Sequence, residues 1–302
     1  MNRTGILAAV VAVEALTACH PRPSDKASGS DSVSIAARPA RLEAAKARPD
    51  SGASHETPLA RWLLPSRLRE ISGLALTSDG RLFAHGDENG VVTELDYRKG
   101  TVVKQFALGK PTVKADFEGI AIANDVIYML SSKGTLYEFA EGVGGDQVDY
   151  VARDTHLGRD CEFEGVAFDS LTQSLLFACK HVRKNSLRDF MLIYRWKLQK
   201  GAGPRVSEIK VPLKKVIGTN KWKGVHPSDI TVDPLSGNYV LVASKEQALI
   251  EITPAGEVVF ARPLPGKHPQ AEGVAITRDS ILIVSDEAWL RHPAVVTLYR
   301  WP

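Results

Sequence analysis

The sequence predicts an all-β fold: a single β-propeller of five four-stranded blades, with six as the alternative. Three observations carry this. A short segment, polar at its start and apolar after, recurs five times as EISGLAL (70–76), DFEGIAI (116–122), EFEGVAF (162–168), HPSDITV (226–232) and QAEGVAI (270–276). The copies start 46, 46, 64 and 44 residues apart, a spacing of the blade kind. Each is followed by further runs rich in β-branched and aromatic residues, bounded by turn chemistry such as SDG, DPLSGN and PAGE.

Taken in chain order, the first nineteen residues read as a secretory signal, with Arg3 as the basic region and a mostly apolar stretch from Ile6 to Leu16 interrupted by Glu14. The stretch ends in Leu16-Thr17-Ala18-Cys19, which resembles a bacterial lipobox. That resemblance implies acylation of Cys19 as the first mature residue, and hence a lipid anchor in the cell envelope. His20 follows the cysteine, which by the same resemblance favours the outer membrane. Residues 20–58 are rich in Ala, Pro, Ser, Arg and Asp and poor in large apolar side chains. Such a segment cannot offset chain entropy by burial, so a disordered tether is expected. Any short helix around 40–48 would have nothing to pack on.

Residues 59–302 form the propeller. The second strands read RLFAHGD, IYMLSSK, LLFACKH, YVLVASK and ILIVSDE, and the third strands GVVTELD, GTLYEFA, MLIYRWK, ALIEITP and AVVTLYR. A fourth strand follows in four units, as TVVKQFAL, QVDYVAR, SEIKVPL and EVVFARPL. The fifth unit stops at Trp301-Pro302, and the strand it lacks is Arg61-Trp62-Leu63-Leu64, ahead of the first repeat. Closure of the ring by the two chain ends is therefore expected. The 64-residue interval carries roughly 18 extra residues, too few for a sixth blade, and they are assigned to loops.

Composition excludes several classes. Lys plus Arg is 38 against 35 Asp plus Glu, which gives no support for a nucleic-acid partner. No apolar run reaches the ~20 residues of a membrane span. Three cysteines are too few for a disulfide scaffold. Cys161 and Cys179 fall on adjacent strands of one blade, and both a disulfide and two buried thiols fit the sequence. There is no G-x-S-x-G, H-E-x-x-H or P-loop motif. Nothing points to a second subunit, so a monomer is expected.

The candidate site lies where the first strand of a blade starts and the second ends, since these neighbour each other on one face of the disc. Three blades are expected to set an acid beside a lysine: Glu118 with Lys133, Glu164 with Lys180, and Asp229 with Lys245. Blades 5 and 1, adjacent through closure, set acid beside acid: Glu272 with Asp286 and Glu287, and Glu70 with Asp87. Buried charges need a counter-charge or a metal. Paired Glu and Lys can lock blades together, whereas clustered carboxylates suit a hard divalent cation, Ca²⁺ ahead of Mg²⁺. The expected metal set is Glu70, Asp87, Glu272, Asp286 and Glu287. The expected ligand-binding set is Glu118, Lys133, Glu164, Lys180, His226, Asp229 and Lys245, facing a small anionic ligand. His226 reads as a ligand, a base or a plain hydrogen-bonding group.

The repeated E/D-x-E/S-G pattern, over about residues 65–302, resembles the SdiA-regulated domain family of bacterial envelope propellers and, more distantly, esterase-like phytases. The first resemblance implies fold and location and no settled reaction. It also keeps six blades in view, because that family is often grouped with six-bladed propellers. The functional expectation is a lipid-anchored envelope binding module with a cation at its acidic channel mouth. The alternatives are a metal-assisted phosphoric-ester hydrolase and a non-catalytic interaction scaffold.

Overall fold

The computed structural model describes residues 34–49, 55–198 and 205–302. The proposed signal, Cys19 and residues 20–33 of the expected tether lie outside the described residues.

Five sheets form the blades, each of four antiparallel strands, and the sheet of blade 1 gains a short parallel fifth strand at its outer edge. The inner strands are Ile71–Leu76, Phe117–Ala123, Cys161–Asp169, Asp229–Val232 and Ala271–Ile276. Each touches the inner strand of the next blade, and the last touches the first, so the ring closes at five rather than six. Inner strands run from the channel mouth to the opposite, lower face. Buried apolar clusters fill the seams; Val240, Leu249, Val274, Ile276 and Val284, for example, join blades 4 and 5.

Closure follows the sequence expectation. Ala60–Leu63 pairs antiparallel with Val295–Arg300 as the outer strand of blade 5. Trp62 on that strand is buried, and its Nε1–H donates to the Tyr97 carbonyl at 2.8 Å. The run QVDYVAR divides: Tyr150–Asp154 is the outer strand of blade 2, while Gln147–Val148 pairs in parallel with the outer strand of blade 1. The extra residues before blade 4 include a short helix, Leu213–Ile217, with Val216 fully buried.

One expectation needs correction. The segment expected to find nothing to pack on contains the helix Arg38–Lys46, whose Leu42 is fully buried against Trp62, Leu95, Ile281 and Leu298. Arg38 donates to the Lys99 carbonyl at 2.6 Å, Lys46 meets Asp279 at 2.5 Å, and Arg300 donates to the carbonyls of Ala45 and Arg48, each at 2.8 Å. One leucine in a polar segment was too weak a periodic signal. The helix clasps the lower ends of blades 5 and 1, where the ring closes.

Cys161 and Cys179 form a disulfide within blade 3, with Cα atoms 5.7 Å apart.

Candidate functional site: a channel mouth short of positive charge

The E-G pair of the repeat has a specific backbone role. In blades 1, 2, 3 and 5 the pairing of inner and second strands slips by one residue just before Gly73, Gly119, Gly165 and Gly273. The residues left unpaired are Ser72, Glu118, Glu164 and Glu272. A bulge re-aims its extra side chain, here toward the channel. The following glycines allow close approach: a Cβ at Gly119 would lie 2.5 Å from the Val166 nitrogen of the next blade. In blade 3 the second strand also skips Lys180, since Phe163 faces Cys179 and Glu162 faces His181. Glu164 and Lys180 thus bulge toward each other and form an ion pair at 2.8 Å.

The other two expected pairs do not form. The second strand of blade 2 ends at Ser131 and that of blade 4 at Ala243. Lys133 and Lys245 lie beyond these ends and are exposed, and no ion pair joins them to Glu118 or Asp229. Blade 4 has no bulge, and Asp229 stands where the other blades have glycine. Its side chain is fully buried in the axis rather than at the mouth. One carboxylate oxygen accepts the Val274 N–H of blade 5 at 2.8 Å, and the Leu74 N–H of blade 1 also contributes. Burial holds the Asp229 carboxyl well above its ordinary range. Asp229 is an axial pin, not a rim ligand.

The expected metal set also separates. Asp286 is 2% exposed, accepts from His268 Nδ1–H at 2.7 Å and from the Gln270 N–H at 3.3 Å, and is thereby committed. His268 Nε2 accepts from the Tyr299 hydroxyl at 2.8 Å. Glu70, Asp87 and Glu287 do share a neighbourhood. Burial and then the charge of Glu70 raise Asp87, while burial and then the charges of Asp87 and Glu70 raise Glu287. Glu70 and Asp87 line a cavity of about 290 Å³ with Asn89, Thr93 and Gln105. Among the described residues, no three carboxylate, imidazole or thiol side chains are placed to hold one metal ion. The five acids are therefore not a ready coordination sphere.

The remaining member, Glu272, joins a different group. Its carboxyl is pushed up to about 8, by burial first and then by the charge of Glu164, against the opposing charge of Lys180. Glu118 is pushed up to about 10, by burial first and then by Glu164 and Asp116, with Lys180 again opposing. Glu164 is raised by burial, and its contact with Lys180 only partly offsets this. Three half-buried to buried glutamates from blades 2, 3 and 5 thus share one lysine. Burial and mutual repulsion thus favour the protonated form of these glutamates, because one ammonium cannot neutralise three carboxylates in a desolvated channel.

Beside this group, His226 is fixed by Glu246, whose two oxygens accept from Nδ1–H at 2.8 Å and from the backbone N–H at 3.0 Å. The His181 ring lies 5.0 Å away, lowered in basicity by its burial. Sequence reasoning put His226 at the mouth but gave no partner. Glu246, which follows Lys245 in the second-strand column, was the available signal.

No family model matches the chain, and no curated protein matches it. Among solved structures it is similar to glutaminyl cyclase from Myxococcus xanthus, with a TM-score of 0.54 and 14% identity over 82% of this chain and 97% of the cyclase. It is also similar to the PQQ-bound aldose sugar dehydrogenase from Streptomyces coelicolor, with a TM-score of 0.50 and 13% identity over 80% of this chain and 98% of that one. At these identities the likeness shows the propeller fold alone.

Proposed function

We propose that this protein is a lipid-anchored propeller of the bacterial cell envelope, held through Cys19 as in the SdiA-regulated domain family it resembles, and that its channel mouth binds a cationic ligand in exchange for protons. The observation that carries the binding reading is the charge deficit: Glu118, Glu164 and Glu272 gather around Lys180 alone. A second positive charge entering there displaces glutamate protons and gains the Coulomb energy of a low-dielectric site. Charge balance supports the reading, and ready-made coordination does not. A divalent cation, Ca²⁺ ahead of Mg²⁺, and an organic ammonium group share this chemistry. Calorimetric titration with Ca²⁺, Mg²⁺ and spermidine at pH 7 separates them. Binding of at least one is expected, with proton release, and Glu272→Gln should weaken it. Absence of binding by all three between pH 6 and 9 contradicts the reading.

A second reading keeps one observation in its favour. His226 is oriented by Glu246, has no hydrogen-bond partner on Nε2 among the described residues, and lies at the same mouth as Lys180 and Lys245. That arrangement suits a base beside an anionic ester, as in a phosphoric-ester hydrolase. Turnover of a phosphomonoester panel that is abolished by His226→Asn would support it.

A further inference from the structure

Hydrogen bonds join the channel glutamates to a second group of acids over blade 1. Glu272 accepts from the Gln270 side chain at 2.6 Å, and the Gln270 carbonyl accepts the Glu287 N–H at 2.9 Å. The next residue, Ala288, donates its N–H to the Arg69 carbonyl at 2.7 Å, which ties the rim of blade 5 to the segment that carries Glu70. Glu70 and Asp87 in turn flank the paired residues Ile71 and Gly86 of blade 1. Charge links the same groups. After burial, Glu70 raises Asp87, and Asp87 and Glu70 raise Glu287. Glu287 is also among the charges that raise Glu272, behind burial and Glu164. A row of carboxylates thus runs from Glu272 in the channel through Glu287 to Asp87 and Glu70.

The far end of this row opens on the cavity of about 290 Å³, the size that suits a small ligand. Two arginines, Arg67 and Arg69, line it as well, but both are exposed. Arg69 is already engaged with Glu70 at 3.8 Å, in a pair that solvent screens. They stand against Glu70, Asp87 and Glu88, with Glu287 beside them, so negative charge is in excess here too. Asp87 Oδ1 is buried and has no hydrogen-bond donor among the described residues, an unmet acceptor that a ligand N–H would satisfy. Thr93 and Gln105, joined at 2.8 Å, add uncharged polar lining.

The mouth therefore has two centres short of positive charge on one path: the glutamates around Lys180, and the acids at the cavity. A single small cation neutralises one centre and leaves the other. A flexible chain with an ammonium group at each end engages both, and its second contact is made at the high effective concentration set by the first.

We propose that the mouth takes a linear polyamine, with one ammonium group among Glu118, Glu164 and Glu272 and another beside Glu287, Asp87 and Glu70. The inference rests on the cation reading above and narrows it to one ligand class. Calorimetric titration of the full chain at pH 7 and low salt with butylamine, putrescine and spermidine tests it, with Ca²⁺ and Mg²⁺ in parallel. Affinity is expected to rise in that order of amines, with spermidine about a hundredfold tighter than butylamine. Asp87→Asn combined with Glu287→Gln should cut that ratio about tenfold or more. Glu43→Gln combined with Asp79→Asn removes the same charge from the lower face and should leave the ratio as it was. Butylamine binding as tightly as spermidine, a ratio that survives Asp87→Asn with Glu287→Gln, an equal loss in the lower-face pair, or binding of Ca²⁺ or Mg²⁺ with no amine bound overturns the two-centre inference and leaves the cation reading standing. Absence of binding by all five probes removes the cation reading and this inference with it.

Discussion

Asp286 and Glu272 lie on paired strands of blade 5, and both are almost fully buried, yet their surroundings treat them oppositely. Asp286 meets His268, which in turn meets Tyr299, so every polar atom of that network has a partner. Glu272 accepts one hydrogen bond from the side chain of Gln270, at 2.6 Å, and otherwise faces Glu164 and Glu287 with only a share of Lys180 to oppose them. A buried charge with complete compensation is part of the scaffold. A buried charge left short of compensation raises its own pKa and holds a proton that a ligand can displace. The contrast separates structure from site within one blade, and substitutions can break or sharpen it.

The largest effect is expected at the compensated end. His268→Ala opens a cavity and leaves Asp286 and Tyr299 without their common partner, at a cost of about 3 kcal/mol in chemical denaturation. The same substitution should leave cation binding at the mouth unchanged. Next comes the clasp at the closing blade, where Leu42→Ala should cost about 2 kcal/mol. An unaltered midpoint there would return the segment to the role of a tether. Glu164→Gln should cost about 1 kcal/mol, because it removes the ion-pair partner of a partly exposed Lys180 and leaves the more distant Glu118 and Glu272 to balance its charge. Glu272→Gln should be neutral or slightly stabilising, since it removes a repelled acid. Equal losses from Glu164→Gln and Glu272→Gln would make the whole ring structural.

The pH dependence follows from the same glutamates. Glu118 and Glu272 are raised to about 10 and about 8 from ordinary values near 4.5. The folded protein then holds protons that the unfolded chain has already released, so stability is greatest at low pH with respect to these groups and falls as pH rises through about 8. The melting temperature of the metal-free protein should decline between pH 6 and 9, and Glu272→Gln should flatten the decline.

Much of this was legible in the sequence. Alternation and turn residues located nearly every strand, and the missing fourth strand of the last unit pointed to Trp62 as the closing element. The site was legible in part. The E-G repeat marked the residues that line the channel, because a bulge followed by glycine is a backbone requirement written into residue type. Pairing was not legible, because it turns on register. Lys180 reaches Glu164 only through a second bulge, whereas Lys133 and Lys245 miss their acids because their strands end earlier. Asp229 looked like one more rim acid until alignment of the blades placed it on the glycine of the other four. His268, which claims Asp286, lies outside every repeated element and gave no signal.

The central claim is that one lysine cannot discharge three channel glutamates, and carbon-13 NMR of the glutamate side-chain carboxyls across a pH titration tests it most directly. In the metal-free protein, two carboxyls are expected to remain protonated at pH 7, to titrate near 8 and 10, and to lose their protons at lower pH when a bound cation is present; assignment by Glu118→Gln and Glu272→Gln should remove one signal each. Titration of both carboxyls near 4.5, with all three glutamates ionised at pH 7, would contradict it.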